Sequence, residues 1–318
     1  MAIATNDTSD LRKRAILVRV DTKILGTQKK DKEATAKAAA DYSAKEDQVF
    51  VGKSIINKKN PLYKRIDKIK GQIRNTHVSL TGPWQDDGFR IIAAKRYSTW
   101  AKTIEEMQLE FYDAVDQFVK SYDDLKSEAK QNLGTLYDED LYPSADGIRD
   151  SFIISTETEV LPDRTNTIID LDTDRTNKIV KDALANDAKR VASLTNDTHE
   201  RVADELTRMI DSLTEYGDEI DGSKRSRTFR NTLVKRIAGL ADTLPGLNVT
   251  GDPRLDKLAK DISAKLTKVS VEDLRGDKKP GDNRTDEQRH ADAADKREQV
   301  AAAATDIAND LANVFGAA

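Results

Sequence analysis

A predominantly helical α+β fold is the class this 318-residue chain predicts, and three observations carry it. Apolar residues recur mostly at helical spacing within long charged stretches, period-two runs are confined to the first half, and the aromatics are unevenly placed. Fourteen aromatic residues fall between Tyr42 and Phe152, and only Tyr216, Phe229 and Phe315 follow. Because aromatics dominate core burial, a compact α+β head is expected over residues 1–165, with a small antiparallel strand set packed on a long helix. An elongated helical body is expected over 166–275, and a flexible linker with a short C-terminal amphipathic helix over 276–318.

Taken in order, Ala15 to Leu25 sets Ile16, Val18, Val20 and Ile24 against Arg19, Asp21 and Lys23, the pattern of a half-buried strand. Lys29 to Ala44 is Ala-rich and charged, which predicts an exposed helix, and Gln48 to Ile56 holds a second short apolar run. Asn60-Pro61 reads as an N-cap and first helical residue, with Leu62, Ile66, Ile69 and Ile73 as the inner stripe of a helix to about Asn75.

Gly82-Pro83 and Asp87-Gly88 are strong turn dipeptides, so Val78–Leu80 and Phe89–Ile92 are expected to return antiparallel around Trp84, the anchor of the fold. Ser98 then caps a long helix with Trp100, Ile104, Met107, Phe111, Val115, Phe118, Tyr122 and Leu125 on one face and Gly134 as its stop. Ala145 to Asp150 suits one helical turn, and Phe152 to Val160 a strand.

From Asp174, which reads as the cap of the next helix, apolar residues from Val180 to Ile220 recur at about 3.6, which suits a straight helix better than a coiled coil. Gly222 would end it. A second helix carries Phe229, Leu233, Ile237 and Leu240 up to a Pro245-Gly246 turn. A third has Asp252 as N-cap, Pro253 at N1, and Leu255, Leu258, Ile262 and Leu266 inside. Gly276 to Glu298 lacks apolar periodicity and reads as linker. The terminal stripe Ile307, Leu311, Val314 and Phe315 either docks on its own body or is offered to a partner.

Composition excludes several chemistries. With no cysteine, disulfides, thiolate nucleophiles and cysteine-ligated metals are absent, which fits a reducing interior. The charged N-terminus lacks a signal-peptide core and no stretch approaches the roughly 18 apolar residues of a span, so a cytoplasmic protein is expected. At 37% hydrophobic and 34% charged the chain is lean, and part of it is expected to be extended. A net charge of -4 argues against wholesale polyanion binding, but the charges are segregated.

Motifs that imitate chemistry fail on inspection. Val51-Gly52-Lys53-Ser54 ends like a phosphate-binding loop, but Asp47 stands where its first glycine belongs. Asp170, Asp172 and Asp174 open like a calcium loop, yet Arg175 takes the glycine position and Lys181 that of the bidentate glutamate. His77, His199 and His290 fall in separate segments; His77 is expected to be partly buried and the other two solvated. Asp86 and Asp87 could serve a metal-dependent hydrolase only with partners the sequence does not place near them. No catalytic residue, metal or cofactor is therefore expected.

Two basic segments remain. Lys53, Lys58, Lys59, Lys64, Arg65, Lys68, Lys70 and Arg74 face only Asp67, with Tyr63 and Trp84 near in sequence. Clustered cations release counterions from a phosphate backbone, and aromatics stack bases. The alternative is complementarity with the acidic helix carrying Glu105, Glu106, Glu110, Asp113, Asp116, Asp123, Asp124 and Glu128. The second segment holds Lys224, Arg225, Arg227, Arg230, Lys235 and Arg236, where cations at a helix start oppose the dipole and ask for an anion.

The series AILVRV, KKDKEAT, GPWQDDGFRII, EFYDAVDQFVKSY, LGTLYDEDLYPS and a strand ending in VLP resembles an uncharacterised tailed-phage family, over about Leu11 to Pro162. Genes of that family tend to lie near those of MoxR-type AAA+ ATPases and von Willebrand factor A-like proteins. The resemblance implies a phage protein in the host cytoplasm, an adaptor or substrate beside a remodelling ATPase, and supplies no catalytic residues. The expected function is non-enzymatic protein binding or self-association through Ile307, Leu311, Val314 and Phe315. The alternative is DNA binding or strand annealing through Lys64, Lys68, Lys70 and Arg74, with Arg225, Arg227 and Arg230.

Overall fold

The computed structural model describes residues 8–85, 87–144, 147–163, 172–216 and 231–315. The first half of the chain holds α1 (Thr8–Arg14), β1 (Ala15–Lys23), β2 (Gln28–Lys30), α2 (Lys32–Asp41), β3 (Gly52–Ser54), α3 (Pro61–Leu80), β4 (Gly82–Pro83), β5 (Arg90–Ala93), α4 (Tyr97–Lys120), α5 (Tyr122–Leu133) and β6 (Ile153–Glu159). The second half adds α6 (Thr173–Thr214), α7 (Asn231–Leu247), α8 (Pro253–Leu266), α9 (Val271–Arg275) and α10 (Asp286–Phe315). The fold is α+β and predominantly helical; among the described residues it has a four-stranded sheet in the order β4-β5-β1-β6 and a two-stranded sheet of β2 and β3, which α2 connects.

Compactness does not follow sequence order. One unit comprises Met1–Val18, Ser79–Ser98 and Thr158–Ala318, and the other Arg19–Val78 and Thr99–Glu157.

In the first unit, β1 pairs antiparallel with β5, Ala15 opposite Ala93 and Val18 opposite Arg90. Leu17 and Val18 are adjacent and both buried, so the start of β1 is covered on both faces, and strict alternation does not describe it. Trp84 joins Leu11, Leu17, Phe89, Leu161, Leu194 and Leu247 in one apolar cluster, with the Arg190 guanidinium 5.7 Å from its ring. That makes Trp84 the anchor the turn pattern predicts. The hairpin around it is smaller than expected: only Gly82-Pro83 pairs with β5, and Val78–Leu80 is the last turn of α3. The reason is that the buried stripe Ile66, Ile69 and Ile73 continues to His77, which extends the helix past Asn75.

The larger core of this unit joins Val202, Leu206 and Met209 of α6, Ile237 and Leu244 of α7, Leu258 and Ile262 of α8, and Ile307 and Leu311 of α10. The cap of α6 is Asp172, whose Oδ1 accepts from the Arg175 N–H at 2.9 Å; Asp174 lies in the first turn. Pro245 does not make a turn but sits inside the last turn of α7. There it has no N–H to offer the carbonyl of Ala241, so the helix gives up one ladder bond near its end while the apolar face continues to Leu247. Gly246 is needed for close approach, since a Cβ would stand 3.0 Å from the Leu80 carbonyl oxygen.

Asp252 caps α8 as expected, accepting from the Arg254 N–H at 2.8 Å. The Arg254 side chain, then its backbone N–H, hold the Asp252 carboxyl below its ordinary value, against the effect of burial. A depressed folded pKa means the contribution is complete above the unfolded value and is lost as the pH falls through the folded one. Asp252→Ala should therefore cost about 1 kcal/mol at neutral pH. The difference from wild type should narrow in denaturant titrations as the pH falls through and below the ordinary carboxylate range. A gap unchanged at low pH would remove the ionised cap from the explanation.

The expected linker Gly276–Glu298 is corrected by α10, which begins at Asp286. Its start is a reciprocal capping box: Gln288 N–H donates to Thr285 Oγ1 at 3.2 Å, and Thr285 N–H to Gln288 Oε1 at 2.9 Å. Its inner face is built from Arg289, Ala293, Val300, Ala301 and Ala304. Alanine contributes little to a hydrophobic pattern, so the periodicity was hidden although the packing is close.

In the second unit, α3 and α4 share an aromatic core. Tyr63 meets Phe118 edge-on at 6.2 Å, Phe118 meets Phe152 at 5.4 Å, and Trp100 Nε1 donates to His77 Nδ1 at 3.2 Å. The long helix breaks at Ser121, whose hydroxyl donates to the Phe118 carbonyl and competes with the helical ladder. Gly134 then stops α5 with a positive φ. Tyr137 and Tyr142 stack at 5.1 Å, and the Tyr122 hydroxyl donates to the Pro143 carbonyl. Burial pushes the Tyr122 phenol up to about 12.

Candidate nucleic-acid interface

The cationic surface is set by the way α3 begins. Asn60 Oδ1 accepts from the Leu62 and Tyr63 N–H groups at 2.9 and 3.1 Å, fixing the helical phase at Pro61. With that phase, Tyr63, Ile66, Ile69, Ile73 and His77 face the core. Lys64 and Lys68 fall on the opposite side and Arg74 on the flank of the buried face, all three exposed, and Lys58 and Lys59 are exposed just before the cap. None of these five cations makes an ion pair among the described residues. The first turn of α3 carries no acid, so the positive helix end adds to the field of Lys58, Lys59 and Lys64.

The other cations of this segment are engaged. Lys53 lies in β3 opposite Lys29 of β2, 3.3 Å from Asp31, and donates to the Leu136 carbonyl at 3.0 Å. The Ala34 N–H, and after it Lys53, hold the Asp31 carboxyl below its ordinary range, with desolvation opposing them. Lys70 is half-buried and pairs with Asp67 at 2.7 Å. Arg65 reaches Asp113 at 3.2 Å and Gln117 at 3.0 Å, the point where the basic helix meets the acidic α4. Internal complementarity thus accounts for Arg65 and leaves the exposed stripe unmatched.

This unit is electrically two-sided along its sequence. Arg19–Val78 carries fifteen Lys and Arg against seven Asp and Glu, and Thr99–Glu157 carries five against fourteen. Glu105, Glu106, Glu110, Asp123, Asp124 and Glu128 are exposed. The field of this unit is therefore positive along α3 and negative along the exposed acids of α4 and α5.

The remaining candidates are dispersed or spent. Arg225, Arg227 and Arg230 lie outside the described residues. Ile307 and Leu311 are 1% and 2% exposed within the helical core, so they are packed on their own body and cannot reach a partner without unpacking α10. Val314 and Phe315 end that helix, and their side chains lie outside the description. Asp87 accepts from the Phe89 N–H at 3.1 Å as turn chemistry, and Asp86 lies outside the described residues. His77 is more deeply buried than expected, at 5%.

Among the described residues no group of three His, Asp or Glu side chains is arranged to hold a metal ion, and no helix is long and apolar enough to cross a membrane. Comparison with protein-family models, curated proteins and solved structures finds no match.

Proposed function

We propose that this chain is a non-enzymatic nucleic-acid-binding protein that takes the phosphates of a single strand along the exposed face of α3, through Lys58, Lys59, Lys64, Lys68 and Arg74. One observation carries the reading: five exposed cations on and before one helix, without an ion pair among the described residues, on a unit whose other segment is acidic. At 1.5 Å rise per residue, Lys64 to Arg74 spans about 15 Å, enough for several consecutive phosphates. Binding of this kind is steeply dependent on salt and tolerant of sequence. Filter retention of a labelled oligonucleotide at low salt, lost as salt rises, is the expected result. Absence of retention at low salt would overturn it.

A protein partner, such as the AAA+ ATPase system the family resemblance implies, is the second reading. The observation in its favour is Leu109, 68% exposed on the acidic outer face of α4. On this reading Leu109→Asp abolishes pull-down of the ATPase, whereas truncation of the terminal helix acts through stability. Unchanged capture by Leu109→Asp would remove that face.

A further inference from the structure

Between α6 and α7, within the first unit, lies a groove of about 450 Å³ lined by Arg201, Asp204, Glu205, Arg208, Arg236 and Gly239 among others. Its charges are not internally balanced. Arg208 is held by Glu205 at 3.0 Å and Asp204 at 3.9 Å, whereas Arg201 and Arg236 make no ion pair among the described residues. Arg201 also stands near Arg90, whose guanidinium is pushed down first by burial and then by Arg201, with Asp197 opposing. Like charges gathered beside a groove ask for an anion.

Two further features belong to residues that line the same groove. The second carboxylate oxygen of Glu205 is buried without a hydrogen-bond partner. A buried acceptor of this kind is costly unless a donor reaches it. Gly239 is exposed in the middle of α7, and a Cβ there would meet nothing within 4 Å. Glycine inside a helix costs about 1 kcal/mol against alanine, so the fold would be better served by a larger residue. The groove is what a side chain at 239 would fill.

We infer that this groove is a binding site for a small phosphorylated molecule, its phosphoryl group held by Arg201 and Arg236 and an adjacent hydroxyl donated to Glu205. Guanidinium pairs suit oxyanions because their planar donors match two oxygens at once. The volume lies in the range of small-molecule sites and is too confined for a duplex. The inference is independent of the cations from Lys58 to Arg74, which belong to the other unit.

The test is calorimetric titration of the full chain at low salt with inorganic phosphate, ribose 5-phosphate and ribose. Ribose 5-phosphate should bind saturably and more tightly than phosphate, with ribose silent. Arg201→Gln and Arg236→Gln should each weaken binding about tenfold or more, and Glu205→Gln should erase the advantage of ribose 5-phosphate over phosphate. Gly239→Leu should block both probes while keeping the circular dichroism and raising the melting temperature, because leucine is the better helix former. Phosphate binding alone, with no preference for the sugar, would leave an adventitious ion only and overturn the assignment. So would saturable binding untouched by Gly239→Leu, no heat from either phosphorylated probe up to about 10 mM, well above the ~1 mM of a weak site, or an effect of the arginine variants confined to oligonucleotides.

Discussion

Replacing Lys64, Lys68 and Arg74 together by glutamine is expected to lower single-strand affinity roughly 10- to 100-fold at low salt, at about 0.5–1 kcal/mol per exposed contact. It should also flatten the plot of log affinity against log salt by about 2, since each phosphate contact on a single strand contributes about 0.7 to the slope. The slope is the sharper readout. A triple variant that merely unfolded would lose binding without a graded change in slope, but these side chains are exposed and make no ion pair among the described residues. Their removal should leave stability within about 0.5 kcal/mol. Lys70→Gln serves as the internal control, because Lys70 is already paired with Asp67 and should matter less. An unchanged slope in the triple variant would take the exposed face of α3 out of the function.

The second large effect concerns the end of the chain. Ile307→Ala is expected to cost about 2–5 kcal/mol, the range for truncating a fully buried aliphatic side chain. Ile307 is 1% exposed in a core shared with α6, α7 and α8, and Leu311 is one turn further in the same core. Denaturant titration followed by circular dichroism should show the midpoint of the unit moving down with little change in steepness. A terminal helix held only for a partner would behave otherwise: stability within about 0.5 kcal/mol, with loss confined to capture of that partner. The latter outcome would return Ile307 and Leu311 to the surface.

Much of the architecture was legible where a single residue type has one dominant reason to be present. Asn60-Pro61 and Asp252-Pro253 start helices because a side-chain acceptor and a proline without N–H suit the first turn, and both positions are as read. Trp84 is an anchor because a large ring between turns has to be buried. Reading failed where two signals competed. Pro245-Gly246 carries turn chemistry, yet the buried residues Leu240, Leu244 and Leu247 continue the helical face through it. Gly276 to Glu298 appeared structureless because its inner face is alanine and arginine, although Thr285 and Gln288 already spelled a capping box.

The candidate surface was half legible. The basic run after Asn60 was visible as composition, but composition does not separate Lys70, tied to Asp67, and Arg65, tied to Asp113, from Lys64, Lys68 and Arg74 on the open face. The groove between α6 and α7 was not legible, because Arg201 and Arg236 lie far apart in the sequence on two different helices and many other charged residues stand between them. Gly239, an unexplained glycine inside an amphipathic helix, was the one sign of it.

By itself the amino-acid sequence determined what depends on neighbours along the chain: the helical class, the caps of α3 and α8, the turn at Trp84 and the segregation of charge. Only the tertiary structure decided which charges stay unmatched, that the terminal stripe belongs to a core, and that Ser79–Ser98 joins the unit of the C-terminal helices. The reason is physical. Propensity and capping act within a few residues, whereas burial and ion pairing are settled by whichever distant surfaces meet.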